Sequence, residues 1–186
     1  MIIWVNGPFG AGKTTLVEEL SKRLGTAMTV DPELLGFVLR RMVPPAPTGD
    51  FQDLPIWRRL TVRTLQEIRR EYNRPLLVPM TLVEPQYLEE IFGSLRLAGE
   101  EIRHFFLSLE EALLRTGIEN QIMTPDDPER DARTRQWRLD QVGRCLAAKG
   151  EMPPGTVFLN SGMHGPFALA DQVLGALGFR ETPTAS

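Results

Sequence analysis

The chain has 186 residues, about the length of one domain, and with 42% hydrophobic and 24% charged residues its composition is that of a globular protein. Its net charge of −3 provides no broad basic field, which argues against a nucleic-acid partner, and its single cysteine, Cys145, excludes an internal disulfide and a multi-cysteine metal site. No apolar stretch approaches the roughly 20 residues that a membrane span requires, so we expect a soluble, cytoplasmic protein without stable membrane insertion.

The chain begins with alternating predicted strands and helices. Residues 2–5 form a continuous apolar run, which is typical of a strand buried on both faces. Apolar residues at helical spacing predict a helix over 12–24, and residues 27–30 then predict a second strand. Asp31 and Pro32 resemble an N-cap followed by proline at the first helical position, so a further helix is expected to start there.

The remaining elements continue this alternation. Predicted helices cover 55–72, 85–97, 110–120 and 166–177, and predicted strands cover 75–80, 102–107 and 156–159. The alternation predicts an α/β fold in which helices cover both sides of a doubly wound parallel sheet, giving three layers. We expect one domain over 1–186, with a mobile helical lid at about 115–149 and a frayed tail at 182–186.

A glycine-rich loop follows the first predicted strand and opens the first predicted helix. Residues 7–14 read Gly-Pro-Phe-Gly-Ala-Gly-Lys-Thr and match the phosphate-loop pattern GxxxxGK[ST] in its strand–loop–helix context, which disfavours a chance match. Backbone N–H groups and the helix N-terminus would hold the phosphates, Lys13 would reach the β- and γ-phosphates of ATP, and the Thr14 hydroxyl would bind Mg²⁺. The predicted ATP-binding residues are Gly7, Pro8, Phe9, Gly10, Ala11, Gly12, Lys13, Thr14 and Thr15.

Two large classes of phosphate-loop proteins are disfavoured by missing markers. No Asn-Lys-x-Asp element is present, which argues against a GTPase, and the predicted central strand ends at 77–81 without the acidic residue of many ATPases. Asp31 is the best replacement as a magnesium ligand, because it ends a strand at the carboxyl edge of the sheet, where ligands bind. Its carboxylate could also accept the proton of an attacking hydroxyl, or it could merely cap the following helix. Glu33 is a second candidate on the substrate side, with a helix-dipole partner as its alternative role.

Several arginines fall within or near the predicted lid, among many carboxylates. They are Arg115, Arg130, Arg133, Arg135, Arg138 and Arg144. In small-molecule kinases a lid closes over ATP, and its arginines neutralise the transferring phosphoryl group. We expect at least one catalytic arginine here, with Arg133 as the candidate, whereas the alternative is a solvated helix face with ion pairs.

A proline-rich loop after the second predicted helix is followed by candidate substrate contacts. Phe51, Gln52 and Trp57 could place aromatic rings and an amide against a substrate, although packing in the core is the alternative for Trp57. Residues 160–162, Asn-Ser-Gly, could line the adenine pocket or form an ordinary turn. His104 and His164 form no metal-binding pattern with acidic neighbours, so neither is assigned a role.

Several stretches together resemble the tunicamycin-resistance (TmrB-like) family of ATP-binding proteins. The likeness extends to about Leu109 and thins beyond it, and the acid-free end of the central strand is part of the family pattern. The stretches are 1–7 (Met-Ile-Ile-Trp-Val-Asn-Gly), 31–36 (Asp-Pro-Glu-Leu-Leu-Gly), 40–44 (Arg-Arg-Met-Val-Pro), 50–58 (Asp-Phe-Gln-Asp-Leu-Pro-Ile-Trp-Arg), 77–83 (Leu-Val-Pro-Met-Thr-Leu-Val) and 104–107 (His-Phe-Phe-Leu).

The resemblance implies the fold of P-loop nucleoside and shikimate-type kinases, and ATP-dependent resistance to a nucleoside antibiotic such as tunicamycin. By that likeness the roles of Lys13, Thr14 and Asp31 carry over, and Arg115, which stands where the family has an arginine after a Leu-Leu pair, becomes a predicted ATP contact.

We therefore expect ATP and Mg²⁺ as cofactors, and a small-molecule substrate. The expected activity is that of a kinase acting on a hydroxyl of a tunicamycin-like antibiotic or a related nucleoside or sugar. The alternatives are a protein that sequesters the antibiotic without modifying it, and an ATPase switch that acts through a protein partner.

Overall fold

A five-stranded parallel sheet forms the centre of the structure, a computed structural model that describes residues 1–179. The strands are β1 (Ile2–Asn6), β2 (Met28–Thr29), β3 (Leu76–Met80), β4 (Ile102–Ser108) and β5 (Val157–Asn160). Their spatial order is β2-β3-β1-β4-β5, and all neighbouring strands pair in parallel. The predicted frayed tail at 182–186 lies outside the described residues.

Helices connect the strands and cover both faces of the sheet. They are α1 (Lys13–Leu24), α2 (Glu33–Leu39), α3 (Pro55–Tyr72), α4 (Pro85–Leu97), α5 (Glu111–Glu119), α6 (Pro128–Asp140), α7 (Val142–Ala147) and α8 (Pro166–Ala176). Prolines occupy the first turns of α3, α4, α6 and α8, where a missing N–H removes no helical hydrogen bond. None of the helices within residues 1–179 is long and apolar enough to cross a bilayer.

Side chains alternate along β1 between the two faces of the sheet. Trp4 packs on one face with Trp57 of α3 and Phe92 of α4, whereas Val5 packs on the other with Leu16 of α1 and with α8. Every residue of β1 is buried, as its continuous apolar run predicts. The expected three-layer, doubly wound α/β fold is confirmed.

Helix α2 is shorter than predicted by the helical spacing of its apolar residues, which are Leu34, Leu35, Val38, Leu39 and Met42. The α-helix ends at Leu39, and the chain continues in a tight turn in which Met42 N donates to Leu39 O at 2.9 Å. Pro44 follows directly and disfavours a helical conformation at Val43, which explains why the helix does not extend further.

An apolar cluster joins the phosphate loop to the helices of the predicted lid. Phe9 packs with Leu114 and Ile118 of α5 and with Val142 and Cys145 of α7. Cys145 is thus a buried packing residue. The predicted lid at about 115–149 comprises much of α5 together with α6 and α7, and its mobility stays a prediction.

Candidate active site

The phosphate loop lies between the end of β1 and the start of α1. Gly7 has φ of 140°, and a Cβ there would lie 2.7 Å from the carbonyl oxygen of Leu107, so the close approach of β4 requires glycine. Gly12 has φ of 90° and precedes the first turn of α1. The loop therefore turns sharply and leaves the N-terminus of α1 facing the carboxyl edge of the sheet.

Lys13 folds back over this loop. Its Nζ donates hydrogen bonds to the carbonyl oxygens of Gly7 at 3.0 Å and Pro8 at 2.7 Å, and it lies 5.7 Å from the centre of the Phe9 ring. Burial lowers the pKa of Lys13 to about 8, because the charged amine loses hydration.

A cavity of about 150 Å³, here called the phosphate cavity, opens above the loop. It brings together the predicted residues Lys13, Thr14, Thr15, Asp31 and Glu33, while Gly7, Pro8 and Ala11 are buried in the loop beneath. The phosphate cavity is lined by Phe9, Gly10, Gly12, Lys13, Thr14, Thr15, Asp31, Glu33, Pro79, Gln121 and Arg138.

Asp31 caps α2 and also lines the phosphate cavity. One carboxylate oxygen, Oδ1, accepts a hydrogen bond from the backbone N–H of Glu33 at 2.9 Å, so Asp31 does cap the start of α2. Within the described residues the other oxygen receives no hydrogen bond, and the side chain lines the phosphate cavity. Burial raises the pKa of Asp31, despite the opposing effects of the Glu33 amide and of Lys13. Capping therefore leaves one oxygen available to a ligand.

A second and larger cavity adjoins the first. Its volume is about 330 Å³, and it shares Phe9, Glu33 and Arg138 with the phosphate cavity. Here it is called the acceptor cavity, and it is lined by Phe9, Glu33, Phe37, Arg40, Thr48, Gly49, Asp50, Phe51, Gln52, Arg130, Arg133, Thr134, Trp137 and Arg138.

Glu33 stands in the wall between the two cavities. Burial raises the pKa of Glu33, and the neighbouring negative charge of Asp31 raises it further. Because Glu33 lines both cavities, it is placed to contact ligands in addition to any interaction with the helix dipole.

The predicted substrate contacts divide into two groups. Phe51 and Gln52 line the acceptor cavity, as a substrate contact requires. Trp57 does not: its side chain is 0% exposed, and its Nε1 donates to the carbonyl oxygen of Pro32 at 3.0 Å. In this structure Trp57 therefore takes the core-packing role that the sequence allows as its alternative, because its ring packs α3 against the sheet.

Buried polar contacts fix the loop that carries Gln52. Its Nε2 donates to the carbonyl oxygen of Thr81 at 2.9 Å, and its backbone N–H donates to Asp50 Oδ1 at 3.0 Å. Asp50 also pairs with Arg144, which approaches to 3.5 Å from α7, and burial raises the pKa of Asp50. Sequence reasoning missed Asp50, whose only local signal is its place before a short 3₁₀ helix at Phe51–Asp53.

Among the lid arginines, Arg138 reaches the phosphate cavity. Its Nη1 donates to Gln121 Oε1 at 2.9 Å, its guanidinium carbon lies 5.2 Å from the Phe9 ring centre, and burial lowers its pKa. Arg133, the predicted catalytic arginine, lines only the acceptor cavity; its side chain is 71% exposed and 3.6 Å from the Glu129 carboxylate.

Arg115 lies apart from both cavities. It pairs with Glu111 on the exposed face of α5, so its role as an ATP contact stays a prediction.

A buried carboxylate organises the segment that carries Gln121 and Arg138. Asp131 accepts from the backbone N–H groups of Met123 at 2.7 Å and Thr124 at 3.0 Å, and it pairs with Arg135 one turn later in α6. The two amide donors lower the pKa of Asp131. This contact fixes the rotation of α6 about its own axis. Arg138, two turns after Asp131, therefore lies toward the phosphate loop.

The end of β3 carries a hydroxyl where many ATPases have a carboxylate. Thr81 Oγ1 donates to the carbonyl oxygen of Gly7 at 2.9 Å and is buried. Among residues 1–179 no cluster of three or more His, Cys, Asp or Glu side chains is placed to hold a metal. The predicted ligands Thr14 and Asp31 do line one cavity, which fits Mg²⁺, an ion that takes one or two protein ligands beside substrate phosphates.

Comparison with solved structures extends the likeness to the whole chain. The tunicamycin resistance protein of Deinococcus radiodurans is 26% identical with a TM-score of 0.70, and the match covers 98% of each chain. An unliganded sugar kinase from Janibacter sp. is 14% identical with a TM-score of 0.66, covering 96% of this chain and 94% of that one. The APS kinase of Mycobacterium tuberculosis, solved with AMPPNP and APS, is 14% identical with a TM-score of 0.64, covering 95% and 96%.

The resemblance to tunicamycin-resistance proteins is thus confirmed, while the two kinases show a shared fold. No curated protein sequence gives a significant match. The profile of a family described as AAA domain matches residues 2–144, which is most of the chain. The chain therefore belongs to the AAA domain family and has the α/β fold of the P-loop kinases.

Proposed function

We propose that the chain is an ATP-dependent phosphotransferase that phosphorylates a hydroxyl of a nucleoside-type antibiotic resembling tunicamycin, or of a related nucleoside or sugar, and so confers resistance. The observation that carries the proposal is the shared wall of the two cavities. A nucleotide in the phosphate cavity would direct its terminal phosphate toward Glu33 and Arg138, beyond which a second molecule has about 330 Å³ of space. Two substrates can therefore meet at one point.

In the proposed reaction, the acceptor oxygen forms a bond to the γ-phosphorus of ATP while the bond from that phosphorus to the β–γ bridging oxygen breaks. The products are a phosphate ester and ADP. Asp31 accepts the proton of the acceptor hydroxyl, and its raised pKa makes it a stronger base than an exposed carboxylate. Lys13 and Arg138 neutralise the charge that develops on the transferring group.

Mg²⁺ would be held by the Thr14 hydroxyl and, directly or through water, by the Asp31 oxygen that receives no hydrogen bond from the described residues. When bound, it would neutralise the β- and γ-phosphates. If Asp31 holds the ion through a water molecule, its carboxylate can still accept the proton, and Glu33 lies in the same cavity as a second carboxylate.

The acceptor cavity combines aromatic and charged surfaces, which supports a substrate that has both a ring system and polar groups. Phe37 and Phe51 contact each other with ring centres 6.3 Å apart, and the Arg40 guanidinium lies 5.3 Å from the Phe51 ring centre. Aromatic rings bind nucleobases and sugar faces, while Asp50 and Glu33 provide acceptors for hydroxyl groups.

The test is mass spectrometry of tunicamycin and a panel of nucleosides and sugars after incubation with the protein, ATP and Mg²⁺. We expect one compound to gain about 80 Da, the mass of a phosphoryl group. Lys13→Ala should abolish the gain, whereas the matched control Lys22→Ala, whose side chain is 75% exposed on α1, should keep it. An antibiotic that binds stoichiometrically but is recovered unmodified, with ATP intact, would instead support sequestration.

A further inference from the structure

Asn6, the last residue of β1, ties the start of the phosphate loop to the segment after β3. Its fully buried Oδ1 accepts from the backbone N–H groups of Gly7 at 2.8 Å and Leu82 at 2.9 Å. Its Nδ2 donates to the carbonyl oxygen of Leu82 at 2.6 Å. Because Gly7 opens the loop, the orientation of the Asn6 amide determines where the first N–H of the loop lies.

His104 of β4 provides the nearer partner for the second Nδ2 proton of Asn6, which the weak acceptor Met152 Sδ approaches only to 3.9 Å. The ring atom Nε2 lies 3.2 Å from Asn6 Nδ2, and Nδ1 lies 2.8 Å from Thr156 Oγ1. The Thr156 hydroxyl donates to the carbonyl oxygen of Pro153 at 2.7 Å, so it can only accept from His104. Nδ1 therefore carries the proton, and Nε2 accepts from Asn6.

We propose that His104 is a positioning residue that fixes the geometry of the phosphate loop through Asn6. With a neutral imidazole, only one orientation of the Asn6 amide satisfies all its neighbours. The reversed amide would place its NH₂ group against the N–H groups of Gly7 and Leu82, and its oxygen against the Leu82 carbonyl and Nε2. The imidazole thus acts together with these backbone groups to hold the amide in the orientation that binds Gly7.

The surroundings of His104 keep its ring neutral and in place. Its side chain is 6% exposed, and the ring of Phe92 from α4 contacts it edge-on at 5.1 Å. Burial lowers the pKa of His104 to about 4, and the charge of Arg96, also on α4, acts in the same direction. His104 lines neither the phosphate cavity nor the acceptor cavity, so its effect on a ligand must pass through Asn6.

Two substitutions separate this role from general packing. In His104→Gln the side-chain carbonyl can reach the position of Nε2 and still accept from Asn6. In His104→Asn the shorter amide can donate to Thr156 but leaves the second Nδ2 proton of Asn6 only the weak acceptor Met152 Sδ, at 3.9 Å. The readouts are the affinity for a non-hydrolysable ATP analogue, the NMR signal of the Gly7 amide and the thermal unfolding midpoint. None of them requires phosphotransfer, so the inference stands or falls separately from the proposed function.

We expect His104→Asn to weaken binding of the ATP analogue about fivefold to tenfold and to shift the Gly7 amide signal, while His104→Gln stays within about twofold of the unsubstituted protein. The two variants should melt within a few degrees of each other. Equal losses of affinity in both variants, or an unchanged Gly7 signal in His104→Asn, would overturn the proposal.

Thr156→Val provides a second variant in case His104→Asn does not fold. It removes the acceptor for Nδ1–H and releases the choice of tautomer, without touching His104 or Asn6. The Gly7 amide signal should move here as well, and its failure to do so would count against a relay from Thr156 through His104 to the loop.

Discussion

At the scale of single residues, the site consists of charges held partly out of water. The ammonium group of Lys13 is bonded to two loop carbonyls and lies near the aromatic ring of Phe9, and the carboxylates of Asp31 and Glu33 share the same cavity. Burial acts on these groups in opposite directions, lowering the pKa of the amine and raising the pKa of the acids. The negative charge of a bound polyphosphate would favour the charged amine and so raise the pKa of Lys13 again.

ATP affinity is therefore expected to fall as pH rises above about 8. In the free protein Lys13 is half-deprotonated at its pKa of about 8, whereas phosphates favour its charged form and raise that pKa in the complex. Between the two pKa values affinity should approach a tenfold loss per pH unit, and titration of a fluorescent ATP analogue between about pH 7.5 and about pH 9.5 measures it. Lys13→Arg is the control, since its guanidinium stays charged and should give a flat profile. Parallel profiles in the two proteins would contradict this assignment.

Asp31→Asn should keep ATP affinity within about threefold and lower kcat by about a hundredfold or more, because asparagine caps a helix as well as aspartate but cannot accept the proton. Glu33→Gln is the companion variant and should mainly raise the acceptor KM, because Glu33 lines both cavities. Steady-state kinetics with the acceptor found by mass spectrometry separates the two effects. If Glu33→Gln lost kcat while Asp31→Asn retained it, Glu33 would be the base.

At the scale of elements, α6 of the predicted lid lines part of both cavities. Arg130, Arg133, Thr134 and Trp137 recur at helical spacing along the acceptor cavity, and Arg138 continues the surface to the phosphates. The buried Asp131 lies seven residues before Arg138, on nearly the same face of α6, and holds the preceding loop. The rotation of α6 about its axis is therefore fixed. As a result Arg138 lines both cavities, whereas Arg133 lines only the acceptor cavity.

Arg138→Gln should lower kcat by about a hundredfold, a loss typical of removing one donor that stabilises a transition-state charge. Arg133→Gln should lower kcat less than about fivefold, because its guanidinium is mostly exposed and borders only the acceptor cavity. The two variants carry the same chemical change at different positions of one helix, so each controls for the other. A larger loss in Arg133→Gln would restore Arg133 as the catalytic arginine.

Local patterns were sufficient to predict the five strands, most of the helices and the phosphate loop, whereas α6 and α7 were expected only as an undivided helical lid. The strand, loop and helix at the start of the chain follow from an apolar run, glycine spacing and helical periodicity, all within about 25 residues. The phase of α6 is different, because it depends on Asp131 meeting backbone groups seven and eight positions away in a loop of irregular structure. Sequence reasoning could list the arginines but could not rank them.

Long-range contacts account for the remaining omissions. His104 lies 98 positions from Asn6 and 52 from Thr156, and no local pattern connects those three side chains. Tryptophan is a residue type that often binds ligands, so the sequence allows that role for Trp57. Its burial follows only from the packing of α3 against β1 and β3. Such assignments require the fold itself, which places distant segments side by side.

At the scale of the whole molecule, the core and the site are joined at the start of α2. The Trp57 indole is buried among apolar side chains and bonded to the Pro32 carbonyl, the residue directly after Asp31. The face of the sheet that carries α3 and α4 thus supports the turn that presents the carboxylate.

Trp57→Phe should lower the free energy of unfolding by about 1.5–3 kcal/mol, since it opens a void and removes one hydrogen bond to the Pro32 carbonyl, which keeps those from the backbone N–H groups of Leu35 and Gly36. Denaturant titration measures the change. Trp137→Phe is the matched control, because Trp137 is only partly buried at the acceptor cavity, and its loss should stay below about 1 kcal/mol. Equal losses in the two variants would show that the Pro32 contact adds nothing to stability.

The acceptor cavity has one more consequence, which concerns how such a protein can diversify. Apart from Phe9, its lining comes from the segments 33–52 and 130–138, and no strand of the sheet contributes to it. Glu33 and Arg138 also line the phosphate cavity, and Asp50, Phe51 and Gln52 are buried. Substitutions at the other lining positions of these segments leave the scaffold and the nucleotide half of the site intact. Descendants of one ancestor could therefore exchange preferred compounds through changes in two short surface segments, and a protein engineer could randomise the same segments to select new ones.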